Sequence, residues 1–267
     1  MSITTLDGVL AGMQPPQPII KAATGTLVVG RPHSLFYTAG MPGAAVAPSP
    51  GINGASLTTY AGQVPFSNPV SGNTYLARLQ AQATIAGTLM LCDRLWHNSA
   101  IDITATTAQG ITSTALPARD MDAAIAGRGI MIGAEVSTVT GAGTPTISIS
   151  YTNSLATAGK TGVNTVATVA SSIAGTFYPI GLAAGDVGVK SVESLTLSET
   201  WTSGTIHLVA YRILAQLELT GDNIPNAIDA LTGGFPKLHN NTVPFLVFIP
   251  SATTSSNIVG QVIYSQG

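Results

Sequence analysis

The clearest pattern along the chain is an alternation of apolar and polar residues in short segments bounded by glycine-rich stretches. Residues 146–152 read Thr-Ile-Ser-Ile-Ser-Tyr-Thr and are the cleanest example. A period of two places alternate side chains on opposite faces of a strand, so this pattern predicts a β-strand with one buried face. Gly141-Ala142-Gly143 before it and Gly159-Lys160-Thr161-Gly162 after it predict turns.

Nine further segments from residue 75 onward are apolar or alternate in part, and they predict strands. They are residues 75–81, 84–91, 101–104, 130–136, 165–170, 189–201, 205–219, 243–249 and 257–264. The segment Thr202-Ser203-Gly204 between two of them predicts a hairpin. Short strands at roughly even spacing favour an all-β fold, and we expect a β-sandwich of the jelly-roll or immunoglobulin-like type.

Helical patterns are few. Residues 3–13 could form one short helix, and residues 118–128 another, with two aspartates early and a glycine after the end. A third candidate is residues 223–231, where Pro225 lies near the first turn and two glycines follow. We therefore expect one or two short helices beside the strands.

The first 70 residues are rich in proline and glycine. Residues 15–18 (Pro-Pro-Gln-Pro) favour extended, polyproline-like backbone, and residues 26–30 and 33–38 are short strand candidates. We divide the chain into an extended Pro/Gly-rich N-terminal arm with short strands, residues 1–70, and a β-sandwich domain, residues 71–267. An extended segment buries little surface by itself, so its apolar residues predict that it lies on another surface; the alternative is a flexible terminus.

Composition and charge exclude several functions. The 267 residues include 10 Lys+Arg and 12 Asp+Glu, so only 8% are charged, against about 25% in an ordinary soluble domain. We expect no nucleic-acid partner, because a basic surface is missing, and no membrane partner, because no apolar run reaches about 18 residues. So few charges predict a surface that is covered by other subunits or is neutral and rich in Ser, Thr, Gly and Asn. The N-terminal residues lack the pattern of a signal peptide, so we expect synthesis in a cytoplasm without Sec export.

Residues that could carry metal or nucleophile chemistry are scattered. His33, His97, His207 and His239 have no metal-ligand spacing, and His207 lies in a predicted strand, where we expect it to face solvent or a pore. Cys92 has no base beside it in a motif, so we expect a small buried hydrophobic residue. We predict no catalytic, cofactor-binding or metal-ligating residues and no cofactor.

The remaining candidate motifs also favour structural interpretations. Asp120 and Asp122 form Asp-x-Asp without the further ligands of a calcium loop, and we expect them in the first turn of a helix. Gly127-Arg128-Gly129 and Gly141-Ala142-Gly143 lack the residues that complete a phosphate-binding loop, so both predict turns. We therefore expect that the protein is not an enzyme.

Three regions carry a resemblance to known proteins. Residues 93–101 read Asp-Arg-Leu-Trp-His-Asn-Ser-Ala-Ile and are followed by Thr106-Thr107-Ala108-Gln109. Residues 147–153 read Ile-Ser-Ile-Ser-Tyr-Thr-Asn, and the C-terminal part begins with residues 244–251. Together they resemble a group of virion structural proteins of tailed bacteriophages, in which D-R-L-W-x-x-S-G-x precedes T-T-A-Q and a later S-Y-T-N-Q-x-G is followed by a basic residue.

The resemblance extends over most of residues 84–267. The chain departs from the group at Ala100, where glycine is usual, and at residues 154–156, which disturb the S-Y-T-N-Q-x-G spacing. Its motif residues have expected structural roles. Trp96 should be buried with a partner for its N–H, Arg94 and Asp93 should close a hydrogen-bonded corner, and Tyr151 and Asn153 should end a strand beside a turn.

This resemblance implies a component of a phage particle. We expect a non-enzymatic capsid decoration or cement protein at the capsid surface of the virion, made in the host cytoplasm. Its expected partners are copies of itself, as a trimer, and the major capsid protein, with the arm stapling neighbours together.

Two alternatives remain open. The chain could be a major capsid protein or a tail or baseplate protein. It could also be a host-surface carbohydrate-binding module, which would need Trp96 or Trp201 to be exposed beside acidic residues.

Overall fold

Strands dominate the regular structure of the chain, and the computed structural model describes residues 3, 5–22 and 24–267. The expected all-β class, with a β-sandwich architecture and two short helices, is confirmed. The N-terminal elements are α1 (Leu6–Ala11), β1 (Gln17–Lys21), β2 (His33–Ser34), a 3₁₀ turn (Leu35–Tyr37), β3 (Gly40–Met41) and β4 (Ala55–Ser56).

The remaining elements follow from residue 74 onward. They are β5 (Thr74–Ala83), β6 (Gly87–His97), β7 (Gln109–Gly110), β8 (Met131–Thr138), β9 (Ile147–Asn153), β10 (Lys160–Asn164), β11 (Phe177–Gly181), β12 (Val189–Leu197), β13 (Thr205–Leu219), β14 (Asn226–Asp229), α2 (Ala230–Gly233), β15 (Pro244–Pro250) and β16 (Ile258–Gln266).

Two antiparallel sheets are built from these strands. The smaller has the order β14-β5-β16-β1-β3, and the larger has the order β2-β15-β6-β13-β8-β11-β10-β9-β12-β7, with β4 beside β6. The strands at the four sheet ends, β14, β3, β2 and β7, have two to four residues each. Short edge strands leave little unpaired backbone for unwanted association.

The core has two main parts. One lies between the smaller sheet and the middle of the larger one, where Leu79, Val262 and Leu217 are buried together. The other joins strands from both halves of the larger sheet, including Ile132 of β8 and Ile149 of β9, so that sheet curls around its own apolar residues. Full burial of one such side chain contributes about 1.5–3 kcal/mol.

Several segments within residues 17–70 pack on the chain's own sheets. Strand β1 is inserted between β16 and β3, with Ile19 opposite Gly260 and completely buried. Leu27, Leu35 and Phe36 are also buried. Part of the apolar surface of this region is therefore covered by the same chain, while other apolar residues, Ile20 and Met41 among them, are exposed on the molecular surface.

The predicted hairpin between residues 189–201 and 205–219 is wrong. Strand β12 pairs with β9 and β7, whereas β13 pairs with β6 and β8. After β12 ends at Leu197, the chain turns away, and the backbone N–H of the completely buried Trp201 donates to the carbonyl of Ile103. Pairing with distant strands buries both faces of β13, which a local hairpin could not do.

The predicted strand at residues 26–30 is not formed, and two further predicted strands are loops. In residues 101–104 the Asp102 carboxylate accepts hydrogen bonds from the backbone N–H and the hydroxyl of Thr104, which bends the chain into a turn. In residues 165–170 the carbonyl of Val169 accepts a bond from the Trp201 indole. Side-chain hydrogen bonds therefore replace a strand ladder in both segments.

The helix predictions have mixed outcomes. Of residues 3–13, Thr4 lies outside the described residues, and α1 occupies part of the rest. Residues 118–128 form a loop, because the buried Asp120 carboxylate accepts backbone bonds from Asp122, Ala124 and Gly127. The segment 223–231 contains strand β14 instead and only the start of α2, whose N-terminus Asp229 caps.

Candidate functional site

Residues 93–99, which contain the Asp-Arg-Leu-Trp motif, end strand β6 and enter the following turn. All seven are buried, in the middle of the larger sheet between β13 and β15. Buried polar residues in such number are unusual, because each must find a partner to offset the loss of water. The contacts of these residues therefore define what the segment does.

Arg94 forms a buried ion pair with Glu135 of β8. The Arg94 Nη2 to Glu135 Oε2 distance is 2.7 Å, and both side chains are completely buried. The Tyr37 hydroxyl donates to the same carboxylate oxygen at 3.0 Å. Burial acts to raise the pKa of Glu135, but the Arg94 charge together with the hydrogen bonds that the carboxylate accepts from Arg94, Ser34 and Tyr37 holds that pKa below its usual range. The pair is therefore ionised inside the protein.

Aromatic rings enclose the Arg94 guanidinium. Its central carbon lies 4.5 Å from the centroid of the Phe36 ring and 5.5 Å from that of Phe245. Phe36 also stacks on Tyr60 at 5.7 Å. A cation held over desolvated rings is attracted by about 2 kcal/mol or more. Phe36 and Tyr60 come from the N-terminal region, so Arg94 binds that region to the sheet.

Three histidines surround this ion pair. His97 accepts a hydrogen bond from Arg94 Nε at its Nδ1 atom, at 3.2 Å. Burial and the Arg94 charge lower the pKa of His97 to about 3. Burial likewise lowers the pKa of His33 to about 4 and depresses that of His207. All three side chains are therefore neutral at pH 7.

The prediction that His207 faces solvent or a pore is wrong, because its exposed fraction is 1%. Its Nδ1 atom donates to the carbonyl of Asn98 at 2.9 Å, and the Ser137 hydroxyl lies 2.7 Å from Nε2. The strand is central in the larger sheet, so both of its faces are covered. His207 thus serves as an internal hydrogen-bonding group.

Asp93 forms a second, separate network. Its carboxylate accepts two bonds from Arg119, at 2.9 and 3.1 Å, and one from the backbone N–H of Val243. Arg119 also donates to the carbonyl of Leu57 at 2.7 Å. The side chains of Asp93 and Arg94 share no corner, because successive side chains of a strand point to opposite faces. Arg119 Nη2 nevertheless donates both to the Asp93 carboxylate and to the backbone carbonyl of Arg94.

Trp96 fixes the loop that precedes β4. Its indole N–H donates to the carbonyl of Asn53 at 3.2 Å, as expected for a buried tryptophan. Gly54 lies against the ring with a φ of +70°, and a Cβ there would come within 2.3 Å of it. Only glycine combines this backbone conformation with so close an approach.

The next two residues bind the same loop. Asn98 donates to the carbonyl of Ile52 at 3.1 Å, and the Ser99 hydroxyl accepts a bond from the N–H of Gly51 at 2.8 Å. Asn98 also accepts a bond from the backbone of Leu208 on β13. Residues 93–99 are therefore a fastening point between the N-terminal region and the larger sheet.

Residues 147–153 and the turn after them also form a hydrogen-bonded corner. Tyr151 and Asn153 each donate to the Asp186 carboxylate, at 2.7 Å. The Asn153 side-chain oxygen accepts backbone bonds from Leu155 and Thr157 and so closes the turn after β9. The prediction that these residues end a strand beside a turn is confirmed.

The other candidate residues are placed as follows. Cys92 is completely buried, and burial raises the pKa of its thiol, as expected for a small hydrophobic residue. Trp96 and Trp201 are both completely buried, so neither offers a sugar-stacking surface.

Within residues 3, 5–22 and 24–267, no group of three or more His, Cys, Asp or Glu side chains is placed to hold a metal ion. In the same part of the chain, none of the helices has the length and apolar character needed to cross a membrane.

One exposed surface combines apolar and amide side chains. Val259 of β16, Ile20 of β1 and Met41 of β3 lie directly opposite one another across three strands of the smaller sheet. Their exposed fractions are 40%, 42% and 48%. Three glutamines continue this face on β5 and β16: Gln80, Gln82 and Gln261. We call these six residues the outer face.

Comparisons with known proteins give only distant matches. No protein-family profile matches the chain, and no curated protein matches its sequence. A solved structure of the Gt strain of infectious bursal disease virus is similar at 10% identity, over 95% of this chain and 82% of that one, with a TM-score of 0.21. The VP2 subviral particle of the same virus is similar at 8% identity, over 96% and 81%, with a TM-score of 0.20.

Proposed function

We propose that the chain is a non-enzymatic structural component of a phage particle, specifically a capsid decoration or cement protein. The observation that carries this proposal is the set of hydrogen bonds that residues 93–99 make within the chain. These residues underlie the resemblance to phage virion proteins, and their polar groups bind other parts of the same chain. Such a segment maintains a rigid shape, which is what a shell component needs.

The outer face supports a role in assembly. Ile20 and Met41 belong to the N-terminal region, so that region supplies part of the exposed apolar surface. The face carries uncharged side chains only, in a chain that is 8% charged. A neutral face meets a neighbouring copy without repulsion between like charges, and glutamine amides both donate and accept hydrogen bonds.

The proposal also includes an oligomeric state, a location in the particle and a partner. We propose a homotrimer on the capsid surface that contacts the major capsid protein, after synthesis in the host cytoplasm. Many weak copies on one shell gain from multivalent binding. The N-terminal region acts here through its outward residues, because its inward residues are buried on its own chain.

Substitution on the outer face tests this proposal. Ile20→Glu places a charge on a half-exposed position and leaves the buried Ile19 intact. The experiment measures binding of purified protein to particles stripped of it. We expect at least tenfold weaker binding, since burial of one isoleucine contributes about 1.5–3 kcal/mol.

A matched control lies on the other sheet. Val163 of β10 has an exposed fraction of 39%, close to that of Ile20. Val163→Glu should therefore bind like the unaltered protein. Equal binding of the Ile20→Glu variant and the unaltered protein would remove the outer face from the proposed assembly.

A further inference from the structure

The contacts around Arg94 join two parts of the molecule that are distant in sequence. Phe36, Tyr37 and Tyr60 come from residues 34–60, whereas Arg94 and His97 belong to β6 and Glu135 to β8. We call these six residues the arm lock. Since Tyr37 and Phe36 contact the ion pair directly, the hold on residues 34–60 depends on its charge state.

The hydrogen bond between Arg94 and His97 fixes the protonation state of the histidine. Arg94 Nε is a donor, so His97 Nδ1 must accept, which requires an unprotonated nitrogen there. A proton on Nδ1 would turn the 3.2 Å contact into one between two donors. The arm lock as observed therefore contains neutral His97.

The charges that face His97 come from every element packed around it. Arg94 of its own strand and His207 of β13 act on it directly, and Tyr60 packs edge-on against its ring at 4.7 Å. Glu135 of β8 pairs with Arg94 and lies opposite His207. Tyr37 and His33 of the N-terminal region lie near Glu135. Glu135 is the one carboxylate in this set and already balances Arg94, so a second positive charge would have no counter-ion.

We propose that uptake of a proton by His97 opens the arm lock and releases residues 34–60 from the larger sheet, while the strands beneath stay paired. The added charge repels Arg94, which then loses its place between the rings of Phe36 and Phe245. Strands β6 and β13 keep their own ladder of ten register pairs. Release of the segment is therefore a local opening rather than unfolding of the sandwich.

The direction of the pH dependence follows from linkage. Once residues 34–60 leave the sheet, the His97 ring meets water and regains an ordinary pKa of about 6.5, whereas burial and the Arg94 charge hold its pKa at about 3 in the closed state. The closed state is therefore fully favoured above the ordinary pKa and loses stability as pH falls below it. Protonation of His97 changes the equilibrium by up to about tenfold per pH unit in that window.

Hydrogen exchange of the full-length protein tests the proposal. Amides of Ala45 and Leu57 report on residues 34–60, because they donate to the carbonyls of Phe36 and Leu95. Labelling at about pH 7 and about pH 4.5, with times scaled for intrinsic exchange, should show at least tenfold loss of protection there relative to β6 and β13. Equal protection at both pH values would overturn the proposal.

Two variants separate this lock from general acid sensitivity. His97→Gln keeps an amide oxygen for Arg94 Nε and cannot take up the proton, so its loss of protection should be less than about threefold. His239→Gln is the control, because His239 contacts the carbonyl of Asp120 outside the lock; it should behave like the unaltered protein. If His97→Gln lost as much protection at the lower pH as the unaltered protein, the proposal would be contradicted.

A measurement on the unaltered protein covers the case in which His97→Gln does not fold. Proton NMR of the His97 ring should find it neutral down to about pH 4.5 in the closed state. Half-protonation of that ring near pH 6.5 with residues 34–60 still protected would equally overturn the proposal.

Discussion

At the residue scale, charged side chains are few and several are placed inside the protein. Arg94, Glu135 and Asp93 are completely buried, and each has an oppositely charged or hydrogen-bonding partner. Ion pairs of this kind add little net stability relative to apolar residues, but removal of one partner leaves an uncompensated charge. These residues therefore determine where the N-terminal region packs against the larger sheet more than they increase overall stability.

Removal of the Glu135 charge should be strongly destabilising. Glu135→Gln leaves Arg94 charged and buried without a carboxylate, which costs about 3–5 kcal/mol of unfolding free energy. Urea denaturation followed by circular dichroism measures this loss of unfolding free energy. Asp122→Asn is the control, since Asp122 pairs with Arg128 at the surface, and its midpoint should stay unchanged. A Glu135→Gln midpoint equal to that of the control would show that the buried pair does not hold the fold.

Lys21 should make stability depend on alkaline pH. Its amine is buried and donates to the carbonyls of Thr38 and Pro42, and burial lowers its pKa to about 8. The unfolded chain has an ordinary lysine pKa near 10.4, so it binds more protons between these two values. Unfolding free energy should therefore rise with pH from about 8 to about 9.5, and Lys21→Met should abolish the rise. A rise of equal size in Lys21→Met would assign it to other groups.

At the element scale, strands with clear alternation were predictable, and segments shaped by side-chain hydrogen bonds were not. Residues 146–152 form β9 as expected, because their pattern of buried and half-buried positions follows a period of two. Residues 118–128 became a loop through the Asp120 carboxylate, which binds amides up to seven positions away. The partners of β12 and β13 depend on burial of distant strands, which the spacing of residues 189–219 does not contain.

The loop before β4 packs against Trp96 through Gly54. Gly54→Ala combines a positive φ with a clash against the Trp96 ring, so we expect a loss of about 3 kcal/mol of unfolding free energy. Gly51 has a φ of +89° and open space around it, so Gly51→Ala should lose only about 1 kcal/mol from backbone strain. Thermal denaturation compares the two. Equal losses would mean that the Trp96 contact does not constrain the loop.

At the scale of the whole molecule, the sequence indicated an all-β protein with few charges but could not locate its fastening points. Trp96 and its need for a partner were predictable from residue type. Glu135 and Arg119 were missed, because they lie 41 and 26 positions from the residues they bind. The only signal available was that these charged residues lie within or beside apolar segments, in a chain with few charges.

The outer face also emerges only at this scale. Val259, Ile20 and Met41 come from opposite ends of the sequence and meet through the order of the smaller sheet. An exposed apolar row is a feature of surfaces that contact other molecules. It gives the proposed shell component a specific surface for its neighbours.

Electron cryo-microscopy of the particles from which the protein is purified tests the central claim most directly. The proposal predicts many copies at repeated positions on the capsid surface, at three-fold or quasi-three-fold axes, with Ile20 and Met41 against a neighbouring subunit. A soluble monomer that is absent from particles, with these residues open to solvent, would contradict it.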